Sequence, residues 1–523
     1  MKLRKMVALG MACAMTLSCS ATAFAAVKGA NEDPANTETT DETLRIALAS
    51  EPSTLWPAGS GKTENEAQII SGCVLDTLVA KDHTTGEVIP NLATEWEWTD
   101  GTHCTFTLRD DVTMSDGSPL VADDVVYSVN DIWVALNAGN DTGRFITGAT
   151  AEDDQTVTIE FAMQAPDMLE MLSMTNFGIV SQEEVEAVGG PEEVAKTPTV
   201  GCGKYKFVEW QSGQSITLTR NDEYWNPDYK GYFKDITFTF TNDAAAREMA
   251  VESGDVDVAY DMPVVQAATF AESENVQTII HTFGQVAHLW YNMTEGHATA
   301  DANVRKAIDM ALDFDALAQV GTGGFNTQSL GYFTPDNKYY NETYTAEERA
   351  VDVEGAKALL EEAGYGDGLE LSIVGMQDTA PLYTVIQENL RAIGINLTIN
   401  TVDTAQFVED AGGGNYDLIM VGEYTEARYP TLFCFLDQET IDTFVIGGPK
   451  TTTPEIDSLI SEIIENPDEE AAKEQIGELE QMMKDQSIVS NLYPETKAAI
   501  ISNDLKGYTT FERGFINPTN FYK

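Results

Sequence analysis

Residues 59–63 read Gly-Ser-Gly-Lys-Thr and follow a short alternating run, LRIALAS, at 44–50. Glycines ahead of a lysine, just after a strand, are parts of a phosphate-cradling loop, in which backbone N–H groups curl around a nucleotide's phosphates. The full pattern requires a glycine six positions before the lysine, and Trp56 stands there. Pro57 follows, with no N–H to donate. The phosphate reading fails on spacing, so the glycines and Lys62 need another explanation.

The other groups capable of chemistry are sparse. His83, His103, His281, His288 and His297 show neither H-x-x-x-H nor H-E-x-x-H spacing, so no motif supports a metal site. No G-x-S-x-G stretch presents a nucleophile. An exported hydrolase would need a nucleophile–base pair or a metal cluster, and it stands as the remote alternative. No catalytic residue, metal or cofactor is assigned.

The chain must then be placed in a compartment. Lys2, Arg4 and Lys5 precede the apolar stretch MVALGMACAMTL, and Ala23-Phe24-Ala25 forms an A-x-A cleavage signature, so residues 1–25 read as a secretory signal. Its apolar run is too short to span a bilayer. Cleavage after Ala25 is one expectation, and a lipid anchor at Cys19, in LSCS, is the other. Residues 26–42 are polar, acidic and turn-rich and read as a disordered tether. Cys73, Cys104, Cys202 and Cys434 remain after the signal, with no C-x-x-C pair; four cysteines allow three pairings, which the sequence leaves open.

The formal charge of −55 over 523 residues excludes nucleic acid or anionic lipid as a general partner, since both require a cationic surface. About 500 mature residues imply two or three domains. Apolar residues two apart mark strands at Leu44/Ile46/Leu48, Phe106/Leu108, Val157/Ile159/Phe161, Ile216/Leu218 and Ile236/Phe238/Phe240. Helical spacing marks 351–364, 380–394 and 454–467, the first two closed by Gly364 and Gly394. With INLTINTV and DLIMVG as strands, 369–422 reads β-α-β-β. The fold class is mixed α/β.

Four stretches, taken in order, resemble the bacterial extracellular solute-binding proteins of the peptide/nickel class (family 5) that serve ABC importers. They are LATEWEWTDGTHCTFTLRDDVTMSDGSPLVADDVVYSV (92–129), TVGCGKYKFVEWQSGQSITLTRNDEYW (199–225), ESGDVDVAY (252–260) and YNMTEGHATADANVRKAIDMALDFDAL (291–317). The resemblance runs from about residue 44 to 511. It implies a two-lobed α/β fold of the periplasmic-binding-protein type (Venus-flytrap, type II). Lobe I would comprise 43–75, 196–287 and 490–523, with an inserted subdomain at 76–195. Lobe II would be 288–489, with hinge crossings near 287 and 490. The implied protein is a non-catalytic monomeric receptor that captures short peptides between its lobes and delivers them to the membrane permease. An oligosaccharide or a nickel chelate is the alternative ligand on the same architecture.

The resemblance also gives the opening stretch a meaning. Gly61, Lys62 and Thr63 fall where the family's first loop lines the cleft and bonds the ligand's main chain; a plain surface turn is the competing reading. The opposite wall falls at 416–433, with Gly422, Glu423, Tyr424, Glu426 and Arg428. Glu426 stands at the place of an aspartate that pairs with a peptide's α-amino group, one methylene longer, or else is a solvated loop acid. Met420 replaces a basic residue and Glu423 a tryptophan of the oligopeptide binders, so Arg428 or Lys62 would have to read a ligand carboxylate. Trp56, Trp290, Tyr424 and Tyr429 are nearby aromatics, to be weighed as stacking platforms or as wall packing.

Overall fold

The computed structural model describes residues 38–56, 65–82, 86–135, 145–162, 168–194, 201–270, 273–377, 379–424, 452–511 and 514–523. Sixteen strands lie in them. In chain order they are β1 (Thr43–Leu48), β2 (Val79–Lys81), β3 (Val88–Pro90), β4 (Ala93–Trp98), β5 (His103–Leu108), β6 (Ile146–Asp153), β7 (Thr156–Phe161), β8 (Tyr205–Gln211), β9 (Ser215–Arg220), β10 (Asp235–Phe240), β11 (Val258–Tyr260), β12 (Val276–Tyr291), β13 (Leu369–Met376), β14 (Ile395–Val402), β15 (Leu418–Tyr424) and β16 (Val489–Ser502).

Ten strands share one sheet, ordered β14-β13-β15-β12-β16-β11-β1-β10-β9-β8. Four more, β4-β5-β7-β6, form a separate antiparallel sheet, and β2 pairs with β3. The alternation in β1 buries Leu44, Ile46 and Leu48. Arg45, between them, points away and clasps Asp257, with Nη2 3.0 Å from Oδ1 and Nε 3.1 Å from Oδ2. The helix Ala244–Ser253 starts where Asp243 accepts from Ala245 N at 2.9 Å. It stops at Gly254, whose φ of 76° is the left-handed conformation that a glycine adopts without strain. The chain then enters β11.

The stretch 369–424 corrects one expectation. It runs β13, helix Ala380–Ala392, β14, helix Thr404–Gly413, β15. The second helix has a physical reason: β13 lies between β14 and β15, so the chain must cross over a strand to continue the sheet. Asp403 caps this helix by accepting from Gln406 N at 2.9 Å.

Two long strands tie the sheet together. β12 has 16 residues and β16 has 14, and they pair antiparallel from Val276↔Ser502 to Trp290↔Val489. Toward one end β12 carries β15 and, through it, β13 and β14; toward the other end β16 carries β11 and β1. The pairing shifts register twice, once between Ala287 and His288, where Leu492 is the extra residue, and more widely near its middle. Thr282 faces Thr496 and Val286 faces Pro494, so residues 283–285 stand opposite Glu495 alone. This is a bulge, which bends a strand and re-aims its side chains.

Buried side chains form three clusters. One lies around β1, β9, β10 and the C-terminal residues, and a small one lies beside β11. The largest is continuous from Trp133 and Phe177, in the four-stranded subdomain, through Tyr332 and Tyr339 to Ile386 and Ile460. Cys73, Cys104 and Cys202 are buried free thiols. Cys434 and the export signal lie outside the described residues.

Candidate ligand-binding cleft

β15 is flanked unequally. On one side it pairs with β12 over its whole length, Tyr291↔Leu418 to Gln285↔Tyr424. On the other it meets β13 only at Leu418 and Ile419. From Met420 to Tyr424, therefore, no strand covers the second edge among the described residues. An open edge offers backbone N–H and C=O groups for an added strand.

Strand periodicity sends successive side chains of this segment to opposite faces. On one face Glu423 is 1% exposed and lies inside a closed network. Trp290 Nε1 donates to its Oε1 at 2.5 Å, and the Tyr332 hydroxyl donates to Oε2. His288 Nε2 is 3.9 Å from Oε2, and its ring stacks on Tyr332 with centroids 4.6 Å apart. Tyr332 is held in turn by Glu480, which accepts from its backbone N at 2.9 Å, and Asn491 Oδ1 lies 3.1 Å from His288 Nδ1.

Burial sets the charge of this network. It pushes the Glu423 carboxyl up to about 8, against the pull of the Tyr332 and Trp290 hydrogen bonds. Burial pushes His288 down to about 3, helped by Arg349 and opposed by the Asn491 hydrogen bond. Near neutral pH both groups are uncharged: a carboxylic acid faces a neutral imidazole, not an ion pair.

The other face carries Gly422. A Cβ built there would stand 2.7 Å from both Gln285 Nε2 and Glu495 Oε1, so these polar groups crowd directly over the glycine. Both belong to the bulge. Beyond Glu495, Lys497 is boxed by aromatic rings, its Nζ 4.5 Å from the centroid of Phe515 and 4.6 Å from that of Phe283.

Of the residues singled out from the sequence, Gly422 and Glu423 are thus neighbours on opposite faces of β15, and the Tyr424 backbone ends that strand. Gly61, Lys62 and Thr63 lie outside the described residues, as do Glu426, Arg428 and Tyr429. The flanks of the first loop are placed: Trp56 is buried, and the helix Asn65–Val74 begins directly after the loop. Trp290 is wall packing, bonded to Glu423, and not an open platform. Sequence reasoning missed Gln285, Glu495 and Tyr332. A partial signal lay beside Glu495, since Pro494 precedes it and proline inside a strand marks an edge or a bulge.

A cavity of about 610 Å³ opens elsewhere, between the end of helix Asn65–Val74 and residues 224–229. Asp76 in its wall accepts from Trp225 Nε1 at 3.0 Å, and burial pushes its carboxyl up. No residue singled out from the sequence lines this cavity.

A sheet carried between two halves by two long strands, with an extra four-stranded subdomain, defines a two-lobed α/β binding protein of the periplasmic type. Solved structures share this fold. The Helicobacter pylori periplasmic binding protein DppA, in complex with the peptide STSA, superposes with a TM-score of 0.78 at 22% identity, covering 92% of this chain and 98% of that one. NikA from Brucella suis, in complex with Fe(III)-EDTA, gives a TM-score of 0.79 at 22% identity, covering 92% and 100%. The chain belongs to the bacterial extracellular solute-binding proteins, family 5, whose family model (described as "family 5 Middle") matches residues 87–434. Among curated relatives, the periplasmic murein peptide-binding protein MppA of Escherichia coli (strain K12) is 24% identical over 533 residues, 95% of each chain.

Proposed function

We propose that this protein is the ligand-capturing receptor of an ABC importer, and that its ligand is a short peptide held extended along the outer edge of β15. The observation that carries this reading is the edge itself, unpaired from Met420 to Tyr424 among the described residues. An extended peptide satisfies such an edge through its own main chain, which gives affinity with little dependence on sequence. The glycine at 422 removes a side chain from the approach. The names of the relatives support the same choice, since MppA is a murein peptide-binding protein and the H. pylori DppA holds a peptide.

The remaining assignments follow from that reading. Lobe I is 43–75 with 196–287 and 490–523, the inserted subdomain is 76–195, and lobe II is 288–489. The crossings near 287 and 490 fall within β12 and β16, next to the bulge, which serves as the hinge. Glu426 takes the peptide's α-amino group, with Arg428 or Lys62 at its carboxylate and Gly61–Thr63 on the facing wall. Ligand contact with both walls raises the closed population by its differential affinity for that state. The closed form docks as a monomer on the membrane permease, whose own subunits use the ATP. On this reading the receptor binds its ligand and releases it unchanged and is not an enzyme, which the description of the family as solute-binding proteins supports. It is exported and held outside the cytoplasm, either anchored at Cys19 or cleaved after Ala25. Among the described residues no helix is long and apolar enough to cross a membrane.

Native mass spectrometry of the protein purified without denaturation from its host tests the reading. A spread of small peptide masses, released on denaturation, is the expected result. A single sugar or metal-chelate mass would overturn the ligand while leaving the receptor intact.

A further inference from the structure

The bulge between β12 and β16 does more than bend the sheet. Three residues, 283–285, stand opposite Glu495 alone, and this displacement turns Gln285 and Glu495 over Gly422. Neither side chain makes a hydrogen bond among the described residues, and both are part-buried, enclosed by protein yet still touched by solvent. A carboxyl enclosed in this way is normally bonded or paired. Gly422, the residue it leans over, belongs to the segment of β15 whose outer edge is open. Glu423, the neighbouring acid, differs in each respect, being fully buried with both oxygens bonded.

Among the titratable groups on the elements packed around Glu495 are Lys497, Asp261 and His281, of which two are charged near pH 7. On its own strand, Lys497 pulls its carboxyl down; at the end of β11, Asp261 pushes it up. His281 of β12 is neutral near pH 7, because burial pushes it down to about 4. Lys497 lies among the rings of Tyr260, Phe283 and Phe515. Desolvation outweighs the help from Lys497 and pushes Glu495 up to about 7. A cation brought in by the ligand would relieve that desolvation.

We infer that Glu495, with Gln285 beside it, is a specificity-determining residue of the cleft, its carboxylate receiving an ammonium group of the ligand. The inference rests on the peptide reading above and names the chemistry that this part of the cleft selects. The ammonium comes either from the peptide's N-terminus or from a lysine side chain. Glu426 is proposed for the N-terminus, which leaves the side chain as the group expected at Glu495.

The test is isothermal titration of the full mature protein with four peptides: Ala-Ala-Ala, Ala-Lys-Ala and their N-acetylated forms. The acetylated pair isolates the side-chain ammonium, and free against acetylated Ala-Ala-Ala isolates the α-ammonium. The wild type should prefer the ammonium-bearing member of at least one comparison by about tenfold or more, as a charge-assisted bond in a dry site gives. Glu495→Gln, equal in size and checked for an unchanged melting temperature, should abolish one of the two preferences; Glu495→Asp should retain part of it. A wild type that binds peptides with neither preference overturns the inference without recourse to a variant, and so does a Glu495→Gln protein that keeps every preference the wild type shows. In both cases the peptide reading stands. A wild type that binds none of the four overturns the peptide reading, and the inference falls with it.

Discussion

Lys338 reaches Glu170 across the boundary between the subdomain of the four-stranded sheet and the chain that follows β12, its Nζ 3.6 Å from Oε2. The same ammonium lies 3.4 Å from Glu469, and Glu170 also receives Lys81 from its own subdomain. Glu170 is buried, whereas the Lys338 side chain is 41% exposed. Solvent therefore screens the pair, and its worth is about 0.2–1 kcal/mol. On the proposed division the pair joins the inserted subdomain of lobe I to lobe II, so that amount is predicted to favour the closed state. Lys338→Ala should enlarge the radius of gyration of the ligand-free protein in small-angle scattering, and weaken ligand binding up to about fivefold. The shift should shrink at high salt. An unchanged radius and affinity would show that the pair does not hold the lobes.

Glu423 predicts how stability depends on pH. Its folded carboxyl titrates at about 8, above the usual carboxylic acid range, so the folded state holds a proton that the unfolded state has lost. That contribution is complete below the unfolded value and is lost as pH rises through about 8. Glu480 and Glu495, both pushed up to about 7 by burial, act in the same direction. His288 and His281 act oppositely, being held neutral; theirs is lost as pH falls below the usual histidine value toward 3 and 4. Above about pH 6.5 the histidines no longer change, and the acids alone decide. Urea midpoints should therefore fall between pH 6.5 and 8.5, and Glu423→Gln should flatten the fall. A midpoint that rises over this window would contradict the buried acid.

Gly203 predicts a structural failure of a different kind. Its amide donates to Val74 O at 2.8 Å, and a Cβ there would stand 2.6 Å from Val74 C and 2.7 Å from Val74 O. Backbone atoms cannot rotate aside as a side-chain end can, so Gly203→Ala should destabilise by about 1–3 kcal/mol, the range for overpacking, or more. Gly422→Ala meets only the ends of Gln285 and Glu495, which can swing. It should leave the melting temperature within a few degrees while weakening peptide binding. Thermal unfolding of the two variants side by side checks both, and equal destabilisation would refute the distinction.

The contrast between Gly422 and Glu423 shows where the sequence runs out. Two-residue alternation was readable in β1, β5, β7, β9 and β10, because each buries one set of positions more deeply than the other. β12 and β16 carry no such signal where they cross: His288 to Tyr291 and Val489 to Pro494 are buried at every position. The helix Thr404–Gly413 was missed because it is short and closes in Gly412-Gly413-Gly414, which reads as loop. The resemblance led to β15, but not to which of its residues are buried and which are open. With period two, a shift of one residue exchanges an open position such as Gly422 for a buried one such as Glu423. Pro494 marks an irregularity in β16, but the partners of Glu495 needed the structure, since no local pattern shows that it is opposite three residues of another strand.

Glu426 is placed in the cleft by the resemblance, and its part can be measured separately from the fold. Glu426→Ala should leave thermal stability unchanged and weaken peptides with a free N-terminus by about tenfold or more, while sparing N-acetylated ones. Equal loss for both forms would remove it from the α-amino site.

The central claim is that a peptide is held and not transformed. The direct measurement is a titration of the mature protein with Ala-Ala-Ala and longer oligoalanines, with the peptide recovered afterwards and analysed by mass spectrometry. Saturable one-to-one binding with every peptide returned intact is the predicted result. Absence of binding, or recovery of cleaved peptide, would contradict it.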